Sequence, residues 1–192
     1  MIVKKYEQFS LDGKEFQIFQ DMDGCLTSFE EDFQSIKANK LRLSPDQYDS
    51  INGKYSMWKL IGTQGKKWWS HMNWKSDGKE LWDFIKKYDP IILSAPSHDP
   101  DSSKGKMEWI ERELGISQPS ATVSPKNDRW DESSRVILNS QKYMFNKRYD
   151  NSILIDDTKK QIDNWVNNGG IGILHKNTKD TIKQLKNIIE SI

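Results

Sequence analysis

Short apolar runs that end in small or acidic residues recur along this chain, and most are followed by a stretch of helical periodicity. Residues 2–9 and 15–20 alternate apolar and polar positions as strands do, and Asp12-Gly13 between them is a hairpin-turn signal. Residues 29–39 can open a helix. "LSPDQYDSI" starts another, with Ser44 as N-cap and Pro45 in the first helical position. From there to about Trp74 the chain is polar, aromatic and punctuated by glycine, with no strand pattern. Residues 76–89 place Leu81, Phe84, Ile85 and Tyr88 on one helical stripe. "PIILSAPS" (90–97) is a strand ending in small polar residues. A helix over 102–116 follows, closed by Gly115 as C-cap. "ATVSP" (121–125), "SRVILN" (134–139), "NSILIDD" (151–157) and "IGILHK" (171–176) read as strands, and 158–170 and 178–190 as helices.

Strands alternating with helices predict an α/β fold: a doubly wound parallel sheet with helices on both faces. In such sheets ligands bind beyond the carboxyl ends of the strands. That rule picks out Asp21 and Asp23, Ser94, and the pair Asp156 and Asp157, each just past a strand end. Buried carboxylates are unfavourable unless paired, hydrogen-bonded or bound to metal, so acids recurring there point to a site. An acidic turn at 21–23 and a helix cap at 156–157 are the plain alternatives.

Composition narrows the classes. With 192 residues one domain is expected, with room for a small insertion. Basic and acidic residues number 29 and 28, which offers no footprint for duplex nucleic acid. The single cysteine, Cys25, rules out an internal disulfide and a cysteine-based zinc site; it reads as a small buried side chain in a reducing compartment. No apolar run is long enough to span a bilayer and no signal-peptide pattern opens the chain, so a cytoplasmic protein is expected. The hydrophobic fraction is low at 35%, and eight tryptophans offset it, several of them within 58–82. His71, His98 and His175 lack metal-ligand spacing and read as surface or loop residues.

Collected on one sheet edge, an Asp pair, a hydroxyl, a lysine and a second Asp pair suit phosphoryl chemistry. Hard oxygen ligands favour Mg²⁺. A carboxylate can attack phosphorus, and a neighbouring acid can protonate the leaving group. A hydroxyl and an ammonium can hold phosphoryl oxygens. Lys142 is the lysine chosen, with Lys147 and Arg148 nearby.

"DMDGCLT", "ILS", Lys142 and "LIDD", in that order, resemble the haloacid dehalogenase (HAD)-like phosphohydrolases. Within them the closer similarity is to the 5'(3')-deoxyribonucleotidase branch, whose "DMDGVLADFE" is matched by "DMDGCLTSFE", and whose further motifs are matched by "SAP" (94–96), "VILNSQK" (136–142) and "ILIDD" (153–157). The resemblance implies Asp21 as nucleophile and Asp23 as general acid and base. It implies Mg²⁺ held by Asp21, the Asp23 backbone carbonyl and Asp156, with Asp157 as an alternative ligand or a helix cap. Ser94 and Lys142 would bind phosphate. Residues 1–28 and 79–192 would form the core, and 29–78 a small helical cap whose Phe29, Trp58, Trp68 and Trp69 are the candidates to stack on a base; a cap excludes water and supplies specificity. It implies a small-molecule phosphate monoester, a nucleotide, as substrate, and leaves room for a homodimer. Ser140 stands where the branch has arginine and Ala95 where it often has serine, and the Lys142-to-Asp156 spacing is long; these departures bear on nucleotide preference more than on chemistry. Two rivals remain. One is the same chemistry on a nucleic-acid 3'-phosphate end or a non-nucleotide metabolite. It would need a basic groove, but Lys104, Lys106, Lys126, Arg129, Arg135, Lys147 and Arg148 are interspersed with acids. The other is an inactive binding scaffold.

Overall fold

Five parallel strands form the sheet on which the candidate site is built. The computed structural model describes residues 10–11, 14–117 and 134–192. The strands expected at 2–9 and 121–125, and the Asp12-Gly13 turn itself, lie outside the described residues. An antiparallel pair, β1 (Ser10–Leu11) and β2 (Lys14–Glu15), leads into β3 (Gln17–Gln20). Four helices come next: α1 (Phe29–Gln34), α2 (Pro45–Asn52), α3 (Ser56–Gly62) and α4 (Gly65–Ser70). The chain then alternates: α5 (Gly78–Ile85), β4 (Ile91–Ser94), α6 (Pro100–Leu114), β5 (Val136–Leu138), β6 (Ser152–Asp156), α7 (Lys159–Asn167), β7 (Ile171–Leu174) and α8 (Thr178–Ser191). Short 3-10 helices cover Lys86–Tyr88 and Lys142–Arg148.

The strand order is β5-β4-β3-β6-β7, so the chain moves outward from β3 on one side and returns to build the other. β3 is therefore central, paired in register with Ile91 and Ile92 of β4 and with Ser152 to Ile155 of β6. Alternation along the strands fills two cores. Ile18, Ile92, Ile153 and Ile155 face the larger cluster, and Phe19, Ile91, Leu93 and Leu154 face the smaller one. This two-sided burial is why the strands read as continuous apolar runs rather than half-polar ones.

Helix ends follow the local chemistry. Ser44 and Gln47 form a reciprocal capping box with Pro45 behind them. Asp99 caps α6 through its Oδ1, which accepts from the Asp101 N–H at 2.9 Å, and Gly115 closes it at φ +69°. The stretch without a strand pattern, from residue 53 to 74, carries the helices α3 and α4. Its α3 buries Met57, Leu60 and Ile61.

Helix α4 is pressed against α6. A Cβ on Gly105 would overlap Trp69 Cβ and lie 2.7 Å from the Lys66 carbonyl oxygen, so only glycine allows this approach. Around it Lys66 Nζ donates to Glu108 at 2.6 Å and the Lys66 N–H to Asp101 at 3.1 Å, while Trp109 Nε1 donates to the Met72 carbonyl at 2.8 Å. The segment carrying α4 is thus seated on the sheet's own helix layer.

Candidate active site

Beyond the end of β3 the chain turns back within a few residues. The Met22 carbonyl accepts from the Leu26 and Thr27 N–H groups at 2.8 and 3.0 Å, and Gly24 takes φ +73°. A Cβ on Gly24 would overlap the Asp157 carboxylate, so glycine lets the loop after β3 and the loop after β6 close on each other. The two acids of the first loop, Asp21 and Asp23, meet those of the second, Asp156 and Asp157, because β3 and β6 are neighbours.

Lys142 is fully inside. Its Nζ donates to Asp21 Oδ1 at 2.7 Å and to Asp156 Oδ2 at 2.6 Å. Burial alone would lower the pKa of Lys142, but the charges of Asp21 and Asp156 outweigh it and hold the ammonium well above its ordinary value. An ammonium carries three donors, so one remains for a phosphoryl oxygen in the cavity that Lys142 lines. The 3-10 helix over Lys142–Arg148 accounts for the long spacing to Asp156.

The second lysine of the site is Lys106, one of the basic residues interspersed with acids along the sequence. Lys106 is 0% exposed, and its Nζ donates to Asp23 Oδ2 at 2.6 Å, to Ser94 Oγ at 2.8 Å and to the Ala95 carbonyl at 2.9 Å. All three of its protons are placed. Its charge also lies 5.4 Å from the centre of the Trp69 ring. The signal was present in the sequence: Ser102, Lys106 and Ile110, with Gly105 and Trp109, form the buried stripe of α6, and a lysine on such a stripe needs a buried partner. Burial raises the pKa of Asp23, Lys106 opposes that rise, and the charge of Asp21 adds to it.

The two acids after β6 divide their work differently from expectation. Asp156, the expected metal ligand, has one oxygen on Lys142 and the other accepting from the Thr158 N–H at 2.8 Å, at the start of α7. Asp157, expected as an alternative ligand or a helix cap, lines the cavity, and its carboxylate lies with Asp21 and Cys25 in a group whose ligand atoms fall within 4.8 Å of one another. Desolvation and then the charge of Asp21 push Asp157 up to about 6, and burial and the same charge raise Asp156. Burial pushes the Cys25 thiol well above its ordinary value, consistent with a packed side chain.

A cavity of about 590 Å³ opens above these groups, lined by Asp21, Asp23, Lys142 and Asp157 at one end and by Phe29 and Trp58 on a wall. Glu30, Glu31, Asp46 and Lys75 also border it, none of them picked out by motif. Ser94 is buried behind the lining, where Ala95 takes the cavity position. The four aromatics proposed for stacking do cluster, with ring centroids 4.8–6.5 Å apart. Only Phe29 and Trp58 border this cavity. Trp69 is 1% exposed and belongs to the core, and Trp68 lines a separate groove with Asp32, Lys67 and His71. His175 is also corrected: it is buried, with Nδ1 at 2.9 Å from Thr181 Oγ1.

Comparison with known proteins locates the fold. No family model and no curated relative matches the chain. A hydrolase from Streptococcus pneumoniae TIGR4 superposes with a TM-score of 0.56 at 9% identity, over 88% of this chain and 97% of that one. A HAD hydrolase, family IA, variant 3, from Entamoeba histolytica aligns over 82% of this chain and 83% of its own at 16% identity and a TM-score of 0.45. A HAD-superfamily hydrolase from Ehrlichia chaffeensis aligns over 91% and 96% at 14% identity and 0.44. The chain shares its parallel α/β fold with the Streptococcus pneumoniae hydrolase.

Proposed function

We propose that this protein is a Mg²⁺-dependent phosphomonoesterase that works through an aspartyl-phosphate on Asp21, with nucleoside monophosphates as substrates. The observation that carries the reading is the pairing of Asp21 with Lys142 at 2.7 Å beyond the central strand, both lining one cavity, with Asp23 two residues on. Asp21 is the attacking carboxylate: an oxygen–phosphorus bond forms as the ester oxygen–phosphorus bond breaks, and Asp23 gives the departing oxygen its proton. Water then attacks the phosphorus, Asp23 takes its proton, and Asp21 is released with inorganic phosphate. Lys142 offsets charge on the phosphoryl oxygens and holds Asp21 in place. Lys106 holds Asp23 and Ser94 without touching substrate, since its protons are all engaged.

The donor set fits a hard dication. The carboxylates of Asp21, Asp23, Asp156 and Asp157 outnumber the ammonium groups of Lys106 and Lys142 by two; burial and then the charge of Asp21 raise the pKa values of Asp156 and Asp157. Asp21, Asp157 and the Asp23 backbone carbonyl are the groups we assign to hold Mg²⁺; Asp156, with both oxygens engaged, supports Lys142. When bound, the ion neutralises phosphoryl charge. Phe29 and Trp58 offer the nucleoside an aromatic wall.

The test is phosphate release from a panel of deoxynucleoside and ribonucleoside 5'- and 3'-monophosphates and sugar phosphates, with Mg²⁺ and with chelator, in the natural protein and in Asp21→Asn. Release from nucleotides that Asp21→Asn or chelation abolishes is the expected outcome. Release from sugar phosphates alone removes the nucleotide assignment, and release that persists in Asp21→Asn removes the mechanism.

A further inference from the structure

Trp58 borders two cavities. The second, of about 640 Å³, is lined by Tyr55, Trp58, Lys59, Pro96, Ser97, His98 and Asp99. The two adjoin along the chain after β4, since Ala95 lines the first cavity and Pro96 the second. Two large aromatic side chains are left open here: Tyr55 is 56% exposed and Trp58 40%. Neither is needed to complete the core, and exposed aromatics gathered in one groove mark a binding surface.

Tyr55 is also held there against its backbone preference. It takes φ +67°, ψ 9°, a left-handed conformation unfavourable for a bulky residue. Asp49 enforces it: its Oδ2 accepts from the Tyr55 N–H at 2.9 Å, and its Oδ1 from the Met57 N–H at 2.7 Å and from Ser56 Oγ at 3.0 Å. A carboxylate with that many local donors is built to fix this turn and so to present the Tyr55 ring.

Charge differs on the two sides of Trp58. The first cavity is bordered by Glu30, Glu31 and Asp46, which repel further phosphates. The second has Lys59, and Lys54 lies 4.7 Å from the Tyr55 ring centre. Its one carboxylate, Asp99, is engaged in capping α6. Aromatic faces with lysines beside them form the surface that takes a base and its phosphodiester from single-stranded nucleic acid.

We propose that this second cavity is a subsite for the nucleotide adjoining the one that bears the scissile phosphate, so that the enzyme acts on the phosphorylated end of a short single strand as well as on mononucleotides. Tyr55 stacks on the second base and Lys59 meets the linking phosphodiester. The inference rests on the nucleotide reading above and extends it by one unit.

The experiment measures binding in the Asp21→Asn protein, where turnover cannot intervene, by calorimetry with Mg²⁺. The probes are thymidine monophosphate and dithymidylate, each phosphorylated at the 5' or the 3' end. Tyr55→Gly removes the ring while suiting the left-handed backbone, and Tyr55→Trp keeps an aromatic face. For at least one of the two ends, we expect the dinucleotide to bind about tenfold more tightly than the mononucleotide, the order of one base stack. That advantage should be lost in Tyr55→Gly, retained in Tyr55→Trp and reduced in Lys59→Ala, with mononucleotide affinity unchanged throughout. Equal affinity for both lengths overturns the subsite, as does an equal loss for both in Tyr55→Gly. If the protein hydrolyses no mononucleotide, the earlier reading fails on that result alone, while the length dependence of binding still decides this one.

Discussion

The carboxyl edge of the sheet and the helical segment over 29–70 were built by different rules. At the edge, short motifs deliver their side chains predictably, because strand pairing brings residues 21–23 and 156–157 together whatever covers them. In the helical segment four aromatics with the same sequence credentials part company: Phe29 and Trp58 reach the cavity, Trp68 opens to another groove and Trp69 is core. A strand end constrains direction, whereas the exposure of a residue on a six- or seven-residue helix depends on which neighbour that helix leans against.

The sharpest break in that comparison is at Lys142. Lys142→Ala leaves Asp21 and Asp156 buried without their cation; we expect phosphate release to fall to background and stability to drop by about 3–5 kcal/mol in urea unfolding. Lys142→Ala unfolding with the natural midpoint would show that the edge does not depend on the ion pair. Lys106→Met comes next. Asp23 loses the group that orients it, and kcat should fall about a hundredfold with KM little changed, since Lys106 does not line the cavity. A matching rise in KM would mean that Lys106 contacts substrate after all.

Gly105→Ala tests whether the two regions are one packed unit. The added methyl meets Trp69 and the Lys66 carbonyl, and we expect a loss of about 1–3 kcal/mol, seen as a lower melting temperature. An unchanged melting temperature would mean that α4 can lift off α6 freely. Within the aromatic cluster, Trp58→Ala should raise the nucleotide KM about tenfold and Trp68→Ala should leave it alone; equal effects would erase the distinction between them.

The smallest effect is in pH. Asp157 titrates near 6 in the folded protein against 3.8 when unperturbed, so between those values the folded state holds the extra proton. That contribution is complete below about pH 4 and disappears as pH rises through 6. Metal-free protein should therefore melt a few degrees lower at pH 7.5 than at pH 5, and Mg²⁺ should restore the difference at the higher pH. A melting temperature that rises over this interval in chelator, or that Mg²⁺ leaves unmoved at pH 7.5, would count against the crowded carboxylate pair.

Much was legible before the fold was known. Alternation and turn chemistry placed the five strands of the sheet, with ends within about three residues, since a strand covered on both faces must be apolar throughout and Ser44-Pro45 or Gly115 act on their own neighbours. The spacing of Asp21 and Asp23 and the position of Lys142 needed no tertiary knowledge either. Three things did. Lys106 became a site residue because α6 lies over the loop after β3, a contact 83 residues apart in the chain. The roles of Asp156 and Asp157 depended on which carboxylate Lys142 and the Thr158 N–H reach first. The partition of the tryptophans turned on the close approach of α4 and α6 at Gly105. Local propensity and period settle which elements form and where their ends fall. Which buried charge meets which, and which ring faces water, are settled by long-range packing, where one glycine or one ammonium decides among alternatives that look alike along the chain.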